Sequence, residues 1–335
     1  MNDRIPSEPP VIAPVTDTGR RPLWSVMIPA YNCISYLKYT IESVLAQDPG
    51  EDNMQIEVVD DHSTDGNVEA LVKEAGKGRV QYFCQDRNRG SLRNFETCLN
   101  RSRGHLVHLL HGDDRVRVGF YAEIEELYNK NPEIGAAFTD YAIINQDGVE
   151  EHVYEASLPA KHGVIEDFVT IIAQCCYLQT PAIVVKRSVY EKLGGFFAVH
   201  YGEDWEMWIR IAAHFPVAYS PKRLALYRSG HLSSITQRSL LSGQNIRDIA
   251  KVIDIVQDYL PAEKKKQLKK LAKKNFSIMY AGQSYKMYRF QRKTAFIQAR
   301  EALKLNINPR SLYWVTRLYI SHFIHLLHMD RYKQV

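Results

Sequence analysis

Between Leu23 and Ile144, five short β-type runs alternate with segments of helical periodicity, and this alternation limits the fold more than any other feature. The runs are Trp24–Ile28, Ile56–Asp60, Val80–Cys84, His105–Leu110 and Ala136–Ile144. Between them apolar residues recur at helical spacing: Ile34, Leu37, Ile41, Val44 and Leu45 after the first run, Val68–Ala75 after the second, Leu92, Phe95 and Leu99 after the third. Strands that alternate with helices belong to α/β units, because a parallel neighbour needs a crossover connection. A mainly parallel sheet flanked by helices is therefore expected. Beyond Glu151 the pattern loosens to one strand run, Ala182–Lys186, a Gly194–Gly195 turn and a helix over Asp204–Ala213. After about Ser233 strand signals stop, and helices are expected over 241–259, 262–287, 292–304 and 310–328.

Open α/β sheets bind ligands at the carboxyl ends of their strands. Three polar clusters fall there: Pro29-Ala30-Tyr31-Asn32 after the first run, Asp60-Asp61-His62-Ser63-Thr64-Asp65-Gly66 after the second, and His111-Gly112-Asp113-Asp114 after the fourth. One Asp-Asp pair reads equally well as a turn and helix cap. Two pairs at corresponding strand ends, with Tyr-Asn at a third, favour a site. Adjacent carboxylates repel unless a cation offsets them. Mg²⁺ takes one or two protein carboxylates and completes its shell with phosphate oxygens and water. Neither G-x-G-x-x-G nor G-x-x-x-x-G-K-[ST] follows the first strand, which argues against a dinucleotide dehydrogenase or a P-loop NTPase.

The segments SVMIPAYN (Ser25–Asn32), IEVVDDHSTDG (Ile56–Gly66), NRGSLRN (Asn88–Asn94), LLHGDD (Leu109–Asp114) and GEDWEMWIR (Gly202–Arg210) occur in this order. Together they resemble the inverting family 2 glycosyltransferases of GT-A fold, over about residues 23–235. The resemblance implies a donor-binding set of Pro29, Ala30, Tyr31, Asn32, Asp61, Asn88, Gly90, Asn94 and Asp113. Within it, Tyr31 and Asp61 would hold the nucleotide base, Asp61 accepting from a ring N–H. Asp113 would lie near the ribose and Asp114 would reach a Mn²⁺ or Mg²⁺ ion on the diphosphate, or the two would exchange roles. Asp204 would be the catalytic base, with Glu203 and Trp205 on the acceptor side. His231 resembles a histidine that contacts the diphosphate or metal. One carboxylate that takes the acceptor's proton, and a cation that neutralises the leaving diphosphate, are what inverting transfer requires.

The chain departs from that pattern at His111, where the family's D-x-D motif has an acid. The processive Q-x-x-R-W signature is missing, since Gln244-Asn245-Ile246-Arg247 is followed by Asp248. One or a few sugars added, not a long polymer, is the expectation. His105, His108 and His111 invite a zinc reading, but alternation on a strand turns His108 away from the other two. Trp205 and Trp208 are open to two readings, a sugar platform or packing against the sheet.

Charge divides the molecule. Of the 43 basic and 38 acidic residues, 19 basic and 6 acidic lie in residues 241–335, a net +13 for that region against +5 for the whole chain. The segment Ala262–Lys274 alone carries seven lysines, and Ser311–Leu327 is rich in aromatic and aliphatic residues. That combination suits helices lying on an anionic membrane surface, with a solvated or partner-bound face as the other reading. No recognition motif accompanies the lysines, so nucleic acid is not expected. Five cysteines fit a reducing cytoplasm. No apolar run is long enough to span a bilayer. The expected organisation is a loose, Pro-rich tail over 1–22, a GT-A domain over 23–235 and a basic helical region over 236–335.

The expected function is metal-dependent, inverting transfer of a sugar from a nucleoside diphosphate, UDP or dTDP being favoured. The acceptor would be a hydroxyl of a glycan or lipid-linked glycan in bacterial surface polysaccharide synthesis, at the cytoplasmic side of the membrane. A non-catalytic GT-A scaffold subunit and a nucleotidyl- or phosphotransferase are the alternatives.

Overall fold

The structure is a computed structural model and describes residues 4–16, 19–151, 158, 161–230 and 235–332. The chain divides into two compact units, residues 1–172 with 176–231, and residues 173–175 with 232–335.

In chain order the first unit contains β1 (Trp24–Ala30), α1 (Ile34–Leu45), β2 (Met54–Asp60), α2 (Val68–Gly76), β3 (Gln81–Cys84), α3 (Ser91–Arg101), β4 (Leu106–Leu109), β5 (Arg115–Val116) and α4 (Phe120–Lys130). It continues with β6 (Ala136–Ile144), β7 (Gly163–Val164), α5 (Phe168–Ile172), β8 (Ile183–Lys186), α6 (Arg187–Leu193), α7 (Glu203–His214) and β9 (Val217–Arg228). One sheet runs β3-β2-β1-β4-β8-β6-β9-β5, with β7 beside β9. The long pairings, β1 with β2 and β6 with β9, are parallel, so the sheet is mainly parallel as expected. β8 enters antiparallel between β4 and β6, and each antiparallel pairing spans only two or three residue pairs.

β1 is buried along its whole length, which is why it reads as a continuous apolar run. Its alternate residues Trp24, Val26, Ile28 and Ala30 share a core with Leu37, Ile41 and Val44 of α1, Val72 of α2 and Ile124 of α4. α2 starts where the Asn67 side chain accepts from Ala70 N (3.0 Å), an N-cap.

Two expectations need correction. The sequence shows no strand between the 204–213 helix and residue 233, yet β9 is the longest strand among the described residues. Its middle, Pro221-Lys222-Arg223, is exposed, and a register shift against Thr139–Tyr141 breaks the alternation there. The segment ahead of β1 is not a loose tail over residues 4–16. Ile12 is 1% exposed, and burying such a side chain contributes about 2 kcal/mol. Gly195 N donates to Pro10 O (2.8 Å), Ala198 N to Pro6 O (2.9 Å), and Arg187 Nη2 to Ala13 O (3.0 Å).

The second unit is helical: α8 (Ile235–Ser242), α9 (Gln244–Ile255), α10 (Lys265–Met287), α11 (Arg292–Leu305) and α12 (Pro309–Tyr332). Ala295, Ala299 and Ala302 are buried on α11, and Ala272, Phe276, Tyr280 and Ala281 on α10, which packs against it. The fully buried Gln298 and Asn245 exchange side-chain amide bonds (2.8 and 3.2 Å) and tie α9 to α11. Tyr319, Ile320, Phe323, Ile324 and Leu327 of α12 are exposed. Among the described residues no helix is long and apolar enough to cross a membrane.

Candidate active site

The carboxyl ends of β1, β2 and β4 lie side by side because these strands pair in parallel, and each end carries one of the polar clusters. After β1 the backbone turns at Asn32 (φ 49°), a left-handed conformation that asparagine tolerates. Asn32 N donates to Ser63 Oγ (3.0 Å), and its side-chain oxygen accepts from Thr64 N (2.8 Å), so the first cluster braces the second. Tyr31 is 42% exposed and stands free of the core. Pro29 and Ala30 are buried strand residues whose carbonyls accept from Gly112 N (3.1 Å) and Asp61 N (2.8 Å). These bonds tie the turn after β1 to the turns after β2 and β4.

Both carboxylates of the Asp60-Asp61 pair at the end of β2 meet several protein donors. Asp60 accepts from Ser63 Oγ (2.5 Å), Ser63 N (3.0 Å) and Tyr82 Oη (2.9 Å). Asp61 accepts from Arg89 N (2.7 Å), Gly90 N (2.8 Å) and Asn88 Nδ2 (2.8 Å). Burial raises the Asp61 carboxyl above its usual range, against the pull of those backbone N–H groups. Gly90 (φ +91°) supplies a turn that other residues rarely adopt. A carboxylate offers about four acceptor positions, so three protein donors leave room for one more. Asn94 does not reach this surface. It is 2% exposed, donates to Val59 O (2.8 Å) and accepts from Gln85 (3.1 Å), so it is a buried brace, contrary to expectation.

The turn after β4 is different. Asp114 Oδ1 accepts from Arg228 N (2.8 Å), but Asp114 Oδ2 is buried without a hydrogen-bond partner. His111 Nδ1 lies 3.8 Å from that oxygen, and His111 Nε2 is likewise buried and unpartnered. Ligand atoms of His111, Asp113 and Asp114 lie within 4.8 Å of one another. Burial first, and then the Asp113 charge, push the Asp114 carboxyl well above its usual range. Arg228 Nε donates to Asp113 O (2.8 Å), and its Nη1 donates to both Asn145 O (2.6 Å) and Gln146 O (2.8 Å), which fixes the turn. Two carboxylates and an imidazole around an orphaned oxygen are a donor set that fits a divalent cation. The sequence pointed to Asp113 and Asp114. It gave no role to His111, whose place in the D-x-D position was the available signal.

His108 has no such role. It is fully buried, with Nε2 3.0 Å from Pro181 O and Nδ1 3.2 Å from the Tyr121 hydroxyl. Burial drives it down to about 3, a neutral core histidine.

Asp204 lies at the start of α7, just past the N-cap Gly202 (φ 85°). Its Oδ1 accepts from Trp205 N (2.7 Å), and burial pushes its carboxyl up to about 6. Glu203 beside it is half-buried. Trp205 is 1% exposed and its indole N–H donates to Ile172 O (2.8 Å); Trp208 is 1% exposed too. Both indoles are core, which removes Trp205 from the acceptor side. The rest of that motif is also structural: Glu206 pairs with Arg210 (2.9 Å), and Arg210 caps Gly195 O (2.9 Å). His231 lies outside the described residues.

This fold, with acids gathered at the ends of its parallel strands, is the GT-A architecture of sugar-nucleotide transferases. Residues 25–194, just over half of the chain, match the family Glycosyl transferase family 2, and the chain belongs to that family. It is 25% identical over 244 residues to the uncharacterized protein MT1568 of Mycobacterium tuberculosis, covering 70% of this chain and 75% of that one. TuaG of Bacillus subtilis, named as a teichuronic acid biosynthesis glycosyltransferase, is 30% identical over 133 residues, 39% of this chain and 51% of its own length. The chain thus spans about half of TuaG. Among solved structures, S. aureus TarS 1-349 in complex with UDP-GlcNAc superposes with TM-score 0.62 at 14% identity, covering 88% of this chain and 79% of that one. The mannosyltransferase PcManGT of Pyrobaculum calidifontis, in complex with GDP-Man and Mn²⁺, gives TM-score 0.55 at 16% identity, covering 93% and 88%. At such identities the structures bear on the fold alone.

Proposed function

We propose that the protein transfers a sugar from a nucleoside diphosphate to an acceptor hydroxyl with inversion, with Asp204 as general base. The observation that carries this reading is the buried, unpartnered Asp114 Oδ2 inside the His111–Asp113–Asp114 cluster. A buried carboxylate oxygen without a donor is costly. A divalent cation that also binds a diphosphate supplies what is missing. Such an ion, Mn²⁺ or Mg²⁺, neutralises charge on a leaving nucleoside diphosphate. Asp61 and Tyr31 are the candidates for the base, and Asp113 for the ribose. Asp204, held at about 6, is ionised at neutral pH and more basic than an ordinary aspartate, as proton removal from a hydroxyl requires.

A nucleoside-diphosphate donor agrees with the TarS and PcManGT complexes, which carry UDP-GlcNAc and GDP-Man. A glycan or lipid-linked acceptor in surface polysaccharide synthesis agrees with the name of TuaG. The missing processive signature favours addition of one or a few sugars. The exposed Phe323 and Ile324 of α12, with a lysine-rich α10 in the same unit, favour docking on the anionic inner face of a membrane. The test is turnover of UDP-, dTDP- and GDP-sugars with and without Mn²⁺. Release of nucleoside diphosphate that requires the cation supports the reading. Release of pyrophosphate, or no cation-dependent binding, would sink it in favour of a nucleotidyltransferase or a scaffold.

A further inference from the structure

The segment ahead of β1 lies outside the family-matched residues 25–194, yet its Arg4 reaches the 88–90 loop that bonds to Asp61. Arg4 Nη2 donates to Asn88 O (3.1 Å) and also to Asn88 Oδ1. The approach is close: a Cβ placed on Gly90 would lie 3.2 Å from Arg4 Cβ. The segment behind Arg4 is anchored along its length. Pro6 O and Pro10 O accept from Ala198 N and Gly195 N, Ala13 N donates to Asn100 Oδ1 (3.1 Å), and Ile12 is buried. Gly194 (φ +79°) has the carbonyl of Pro10 2.9 Å from where its Cβ would stand, so bare backbone is needed for the segment to lie down. Arg4 is thus delivered to Asn88 by a docked strap.

Asn88 stands between two groups of fixed character. A guanidinium only donates and an ionised carboxylate only accepts. With Arg4 on its carbonyl oxygen, the Asn88 amide must turn its nitrogen to Asp61, where it lies 2.8 Å from Oδ2 and 3.1 Å from Asp61 O. The same carboxylate takes the N–H groups of Arg89 and Gly90, so Arg4 joins through Asn88 a network centred on Asp61. We propose that Arg4 is a donor-positioning residue: through Asn88 it fixes the acceptor geometry of Asp61, so that binding of a nucleoside diphosphate depends on a residue outside the catalytic domain's own motifs. The charge works in the same direction. Burial raises the Asp61 carboxyl, while the Arg89 and Gly90 amides and then Arg4 oppose it and favour the ionised, accepting form.

This inference rests on the donor-site reading above, and the test separates the two. Full-length parent, R4A and R4K are titrated with UDP, dTDP and GDP in the presence of Mn²⁺, and donor KM and kcat are measured for each. R4A should weaken nucleoside diphosphate binding about tenfold, the scale of a lost charge-assisted bond. Donor KM should rise to match, while kcat stays within about twofold, because the chemistry is elsewhere. R4K should recover part of the loss, since lysine keeps the charge but not the fork. Arg4 is exposed, so circular dichroism of both variants should match the parent. Binding by R4A that equals or exceeds the parent's overturns the inference and leaves the donor site standing. An R4K no better than R4A also overturns it. A parent that binds no nucleoside diphosphate overturns both.

Discussion

Asp60 ends β2 and Asp61 follows it, and both carboxylates meet protein donors, five from neighbouring loops and one from Tyr82. Asp113 and Asp114 follow β4, two strands away, and leave Asp114 Oδ2 buried with no donor at all. The dipeptides are the same, and both sit at strand ends. What distinguishes them is where the compensating positive charge comes from. Around β2 it comes from three backbone N–H groups and the Ser63, Tyr82 and Asn88 side chains, which leave Asp61 one acceptor position to spare. Around β4 the Arg228 backbone N–H meets Asp114 Oδ1 but nothing meets Oδ2, which is the oxygen the proposed cation would hold. Two identical acid pairs read from sequence are thus separated by how many fixed donors the fold aims at each.

The contrast breaks most readily at Asp114. D114N should lower Mn²⁺-dependent transfer about a thousandfold, several kcal/mol of lost charge neutralisation. Without cation the same variant should be more stable than the parent by about 1 kcal/mol, because a costly buried carboxylate becomes neutral. A thermal scan in EDTA checks the second expectation, and a destabilised D114N would contradict it.

Asp204 extends the comparison to a carboxylate with neither role. D204N should reduce kcat about a hundredfold with donor KM nearly unchanged. In the parent, kcat should fall as pH drops through about 6, since a general base works only when ionised and burial has raised this one to that value. A pH–rate profile without that acid limb would remove Asp204 from the role. At His111 a smaller effect is expected: H111A should weaken Mn²⁺ binding roughly tenfold, as loss of one neutral ligand does. The smallest functional change belongs to Asp60. D60N should cost about 1–3 kcal/mol of stability through its lost partners Ser63 and Tyr82, with transfer by the folded protein nearly intact.

The strands β1 to β4 and β6 were legible because apolar runs of fixed length end in polar turns, and the site clusters announced themselves at those ends. β9 was not legible, since a proline, two charges and a register shift erase the alternation that would reveal it. The docked segment over residues 4–16 was missed for a related reason: it is held through its own backbone, the carbonyls of Pro6, Pro10 and Ala13 and the N–H of Ala13, and a backbone bond leaves no mark on composition. Asn94 and Trp205 show the reverse error. Their residue types suit ligand contact, but the fold uses their polar atoms to satisfy Val59 O and Ile172 O in the core. Motif membership located the neighbourhood.

Calorimetric titration of Mn²⁺ into the parent, D61N and D114N puts the two acid pairs side by side. The parent and D61N should bind the ion with affinities within a few-fold of each other, and D114N should bind it about a hundredfold more weakly. Equal binding by the parent and D114N, or loss in D61N as large as in D114N, would contradict the division between a pair held by protein donors and a cation-holding one.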